Sequence, residues 1–260
     1  MTAPATSARP TSQRGAPPLA AIIGYTLRTS LPGKRWIGIL LPCAAALLFG
    51  LLARSLDTYE GAPEHAFAEV AVVGLFALVL PVTTLVIGDA VLGAEIRSGS
   101  FSFTWLSPVP TWQIAVGRWV GGSLIAATCI AASFALSAVI AGAPESAGGA
   151  AVAGAFGAIA YVAVFIAIGC IARRTAVWSL AFVFLVERLL GAALAGIAQL
   201  SPAWVARSAF VDFVTAPADM PRSGIPQGTS ALVRLLVISA VALALASSRL
   251  RHLRLSGSTD

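Results

Sequence analysis

Glu187 and Arg188 stand side by side in "LVERLL", in the middle of an apolar run. Opposite charges there can hold a helix bundle together, line a polar path or gate one. Each costs about 2.5–3.5 kcal/mol at a bilayer centre on insertion scales. Successive residues on a helix point about 100° apart. At least one of the two therefore needs a partner on another helix, on a second subunit or in a wet cavity. A second set lies in "GAEIRSGSFSFTWLSPVPTWQIAVGR", 93–118, where Glu95 and Arg97 sit beside Ser98-Gly99-Ser100. Other chemistry is excluded. The sole lysine, Lys34, is followed by Arg35, so no GxxxxGK[ST] phosphate loop exists. His65 and His252 lie outside the apolar runs, and there is no HExxH. Cys43, Cys129 and Cys170 sit inside such runs and read as small hydrophobes. Neither a catalytic residue nor a metal or cofactor site is expected on this chain.

The elements that must position these charges follow from composition. Of the 260 residues, 58% are hydrophobic and 11% charged, against about 25% charged in soluble domains. Apolar runs fall at 36–53, 67–88, 119–142, 149–172, 176–198 and 231–248. Runs of this length cross a hydrocarbon core of about 30 Å as helices, because the backbone must satisfy its own hydrogen bonds there. The expected fold is all-α: a polytopic membrane protein of six transmembrane helices, over 36–248. Twelve of the 17 basic residues fall on one face, in 1–35, at Arg97 and Arg118, at Arg173 and Arg174, and in the C-terminal tail. The positive-inside rule makes that face cytoplasmic, with both termini on it, in the cell membrane. The net charge of +6 is thus a topology signal, and no nucleic-acid partner is expected.

Residues 1–18, rich in Pro, Ser, Thr and Ala, read as a disordered cytoplasmic tail. Residues 19–35 carry Leu19, Ile22, Ile23, Leu27 and Leu31 at helical spacing, stopped by Pro32-Gly33. They predict an amphipathic helix lying on the inner leaflet. Residues 199–230 are too long for a turn and semi-apolar through Trp204, Val205, Phe210, Phe213 and Val214. They predict a re-entrant or surface element on the outer face. Residues 249–260 form a second cytoplasmic tail.

The 93–118 stretch resembles the loop between spans two and three of ABC-2-type transporter permeases. That pattern has a glutamate, Gly-Thr or Gly-Ser, an amphipathic stretch, small-Pro-Val, and Gly-Lys or Gly-Arg entering span three. Glu95, Gly99, Ser100, Pro108, Val109, Gly117 and Arg118 fill those places. Ser100 replaces the commoner threonine, Arg118 replaces lysine, and Trp112 departs from the usual small or basic residue. The interfacial helix, the six spans and the outer element extend the likeness over most of the chain. The resemblance implies a permease subunit of an ATP-binding-cassette transporter, an exporter, paired as a homodimer or heterodimer. It is not itself an enzyme; ATP and Mg belong on a separate cytoplasmic ATPase. The loop 89–118 would hold a coupling helix, with Glu95, Arg97, Gly99, Ser100, Phe103 and Pro108 as its contact and hinge residues. The alternatives are an ATPase-independent channel or transporter, or a membrane immunity or sensing partner. Lipid, peptide, drug, sugar polymer and ion all stay open as substrates, the apolar spans favouring an amphipathic or hydrophobic one.

Overall fold

The computed structural model describes residues 18–30, 35–60, 63–93, 95, 109–172, 174–214 and 226–252. Every regular element among them is helical. Helix α1 (Pro18–Ser30) begins on a proline, which costs nothing at a first helical position. Helix α2 (Arg35–Glu60) carries Pro42 inside it. A long second span follows as α3 (Pro63–Val70), wide π-helical turns over Ala71–Val79, α4 (Leu80–Gly88) and a further wide turn over Asp89–Gly93. Helices α5 (Thr111–Ala141) and α6 (Ser146–Ile171) form a tight hairpin. Gly142, at φ 87°, ends α5 in a left-handed cap, and the Ala143 N–H bonds the Ala138 carbonyl at 3.0 Å.

Among the described residues, five helices are long and apolar enough to cross a membrane: Trp36–Leu56, Pro63–Leu92, Thr111–Ala141, Ser146–Ile171 and Gly228–Arg251. The run expected at 176–198 is not among them. It consists of α7 (Thr175–Ala181), π-helical turns over Phe182–Leu190 and a last turn over Gly191–Ala193. Leu194 then adopts an extended conformation and the helix stops. After a short turn at Ala195–Ala198, the chain re-enters a helix at α8 (Pro202–Phe213), and the final span is α9 (Gly228–His252).

Helix α6 is the hub. It packs against α4, α5, α8 and α9. Its alanines and glycines bring backbones together, the packing that membranes favour in the absence of a hydrophobic drive between helices. Aromatic rings fill the rest: Phe76 meets Phe134 edge-on at 5.2 Å and Phe210 at 5.1 Å. Ser137 donates to the Ala46 carbonyl at 2.8 Å, tying α5 to α2. Helix α8 buries Ala203, Val205, Ala206, Ala209 and Phe210 against α6 and α9. The expected outer element therefore contains a docked helix.

Candidate functional site

The apolar bundle holds a polar cluster around Glu187, which is 2% exposed. Its carboxylate accepts hydrogen bonds from Tyr161 of α6 through Oε2 and from Ser201 through Oε1, the latter at 2.6 Å. Ser201 is also the N-cap of α8, where its Oγ accepts from the Trp204 N–H at 3.3 Å. The carboxylate thus lies at the positive end of α8. The Trp204 indole N–H donates to the Glu187 carbonyl at 3.1 Å. Gly191 leaves that indole its room, because a Cβ there would lie 3.0 Å from Nε1. Neutral donors on two other segments and a helix end hold this acid.

Arg188 points the other way and is exposed on the side of the bundle. Its guanidinium donates to the Ala77 carbonyl. The reason lies four residues further on, at Pro81. Proline has no N–H, so the carbonyl of residue 77 loses its ordinary helical donor. The π-helical turns over Ala71–Val79 end at this point, and wide turns of this kind cluster at functional places in helices. An arginine from a second segment fills the vacancy. No ion pair joins Glu187 to Arg188 among the described residues.

Arg207, one turn along α8, stacks over the Trp204 ring with its guanidinium carbon 4.6 Å from the centroid. On this helix, outside the five long ones, burial and then the nearby charge of Arg188 push that guanidinium down to about 10.

A second cluster closes the base of the 93–118 loop. Arg118, near the start of α5 and 2% exposed, donates to Glu95 Oε2 at 2.7 Å; Glu95 is 14% exposed. The same guanidinium lies over the Tyr25 ring of α1, 4.7 Å from its centroid. Helix α1 reaches that position because Gly117 and Gly121 clear a track for it. A Cβ on either would come within 2.7 Å of Ile22 or Thr26. Glu95 therefore has a partner within the chain. Arg97, Gly99, Ser100, Phe103 and Pro108 lie outside the described residues.

Tyr161, Ser201, Trp204 and Arg207 were not singled out in the sequence as partners of the buried charges. One signal was available: a tyrosine in the centre of an apolar run needs a partner for its hydroxyl. Among the described residues no three His, Cys, Asp or Glu side chains gather as a metal site. The fold and these clusters define an all-α protein with helices suited to a membrane. No protein-family model and no curated protein matches the sequence.

Proposed function

We propose that this chain is the membrane-spanning permease subunit of an ATP-binding-cassette exporter of the ABC-2 type. It works as a dimer, encloses the substrate path, and is driven by a separate cytoplasmic ATPase. On this reading the chain crosses the cell membrane six times with both termini inside, the 176–198 run making the fifth, interrupted crossing. The observation that carries the proposal is the Glu95–Arg118 pair at 2.7 Å, with Tyr25 stacked on the same guanidinium. It joins the start of the 93–118 loop, the entry to α5 and the amphipathic α1 at one point. A loop anchored this way can pass a push from a docked protein into a span; a slack one cannot. Coupling then requires that ATP-driven docking favour one of two bundle arrangements over the other.

The test is co-purification with a co-expressed ATPase, followed by flux measurement in proteoliposomes with and without ATP. The proposal expects ATP-dependent flux, lost in Gly99→Val while insertion and dimer formation survive. Flux by this chain alone would support an ATPase-independent transporter instead. Docking without flux would support a sensing or immunity role.

A further inference from the structure

We infer that Arg188 and Arg207 form the head site for an anionic membrane lipid whose chains lie in the adjoining apolar groove. Three independent features of the bundle converge there.

The first is the arrangement of charge. Arg188 is anchored on the Ala77 carbonyl by one of its nitrogens. A guanidinium has five N–H donors in a fixed fork, and it binds phosphate and carboxylate oxygens in pairs. Arg207 stands on Trp204, whose indole is bonded to the carbonyl of Glu187, the residue before Arg188. One turn further along α8, Phe210 stacks on Phe76, next to Ala77. The two arginines thus flank the same short piece of backbone. Like charges at close quarters disfavour one another unless an anion lies near. The Glu187 oxygens accept from Tyr161 and Ser201, and among the described residues neither arginine reaches that carboxylate by a hydrogen bond.

The second is an unused hydrogen-bond donor. Arg207 Nε is buried and has no hydrogen-bond partner among the described residues. Its head group lies on the indole face of Trp204.

The third is the shape of what adjoins. A groove runs from Arg188 between the second span and α7, lined by Leu78, Val82, Leu85, Leu180, Val183 and Phe184. It extends eight residues back from Arg188 to Leu180, about 12 Å of helix rise. Arg188 itself lies six residues before Leu194, where the helix stops, or about 9 Å. A head group held there sits closer to the Leu194 end of the helix than to the Thr175 end, and an acyl chain follows the groove towards Thr175. A free phosphate would use the arginines and leave the groove empty. A zwitterionic lipid would fill the groove and bring its own cation to the arginines.

This inference goes beyond the proposed ATPase partnership and does not depend on it. The full chain, purified in an uncharged detergent, would be titrated with phosphatidylglycerol, with phosphatidylcholine of the same chains, and with inorganic phosphate. Retained ligand would be read by native mass spectrometry. Phosphatidylglycerol is expected to bind at least tenfold more tightly than phosphatidylcholine, and phosphate not to displace it. Arg207→Gln is the clean variant, because Arg207 makes no hydrogen bond to the described bundle; it should lose about tenfold for phosphatidylglycerol alone. Val82→Trp fills the groove, leaves both arginines in place, and should weaken both lipids. Equal binding of the two lipids would overturn the inference. So would displacement of phosphatidylglycerol by inorganic phosphate, or parental affinity in a folded Arg207→Gln protein.

Discussion

The Glu187 cluster can be taken apart one hydrogen bond at a time. Tyr161→Phe deletes a donor to a buried carboxylate and keeps the ring against Phe165. Hydrogen bonds to charged groups contribute about 1.5–3 kcal/mol, so that is the expected loss of stability. Ser201→Ala removes a second such bond and also the cap of α8, which adds about 1 kcal/mol. Glu187→Leu strands both hydroxyls in an apolar setting. At about 1–3 kcal/mol for each unsatisfied group, the cost reaches about 2–6 kcal/mol, reduced by whatever the buried carboxylate had cost. The double variant Tyr161→Phe/Glu187→Leu strands only Ser201. It should therefore lose less than the two single losses together, with a coupling of about 1–3 kcal/mol. Glu187→Leu/Arg188→Leu is the control. These two side chains share no hydrogen-bond partner, since one meets hydroxyls and the other the Ala77 carbonyl, so their losses should come much closer to adding. Unfolding in mixed micelles by titration with dodecyl sulfate, followed by tryptophan fluorescence, measures all of these. If Tyr161→Phe costs nothing, or if the Glu187/Arg188 double variant recovers most of the loss, the two charges pair with each other and this account fails.

Three further outcomes are expected. Glu95→Ala leaves the buried Arg118 without its partner; breaking a buried pair typically costs about 3–5 kcal/mol, and Glu95→Ala/Arg118→Leu should cost less than the sum of its parts in the same unfolding assay. Gly121→Ile places side-chain carbons where Thr26 now lies; α1 should leave α5, and amide hydrogen exchange over 18–30 should rise at least tenfold while that of α6 stays unchanged. Six crossings put Ser12 and Ser258 on one face, so single cysteines at those positions should resist an impermeant thiol reagent in intact cells, and a cysteine at the exposed Glu145 should label; labelling at only one terminus would favour five.

The long apolar helices could be read directly, because hydropathy over about 20 residues is a local property. So could α1, whose apolar spacing holds from Leu19 to Leu27. The fifth run shows where the reading stops. Hydropathy counts side chains and does not see where the backbone breaks, and Leu194 is as apolar as its neighbours. The outer element was visible as a semi-apolar interruption. That Ser201 caps it, and turns the same hydroxyl group towards an acid 14 residues earlier, depends on how α8 docks on α6. The sequence pattern offers Glu95 for an external contact, yet its partner is Arg118, the last residue of the same loop motif. Two charges 23 residues apart give no local sign of pairing.

Glu187 and Arg188 follow the helical rule that neighbours lie about 100° apart and point to different faces. Each then needs whatever its own face offers. Glu187 faces the bundle, where an aromatic hydroxyl, a capping serine and the start of a helix supply donors. Arg188 faces outward, where Pro81 has released a carbonyl and an apolar groove begins. A carbonyl is a neutral partner, so the positive charge itself is not cancelled by that bond. Arg207 adds a second charge nearby, also without a carboxylate among the described residues. A membrane helix keeps such charges only where something offsets their cost. Among the described residues the acid is met by hydroxyl donors and the arginines by a carbonyl and an indole face, so the surface the arginines share is where an anionic molecule from outside the chain would complete the bundle.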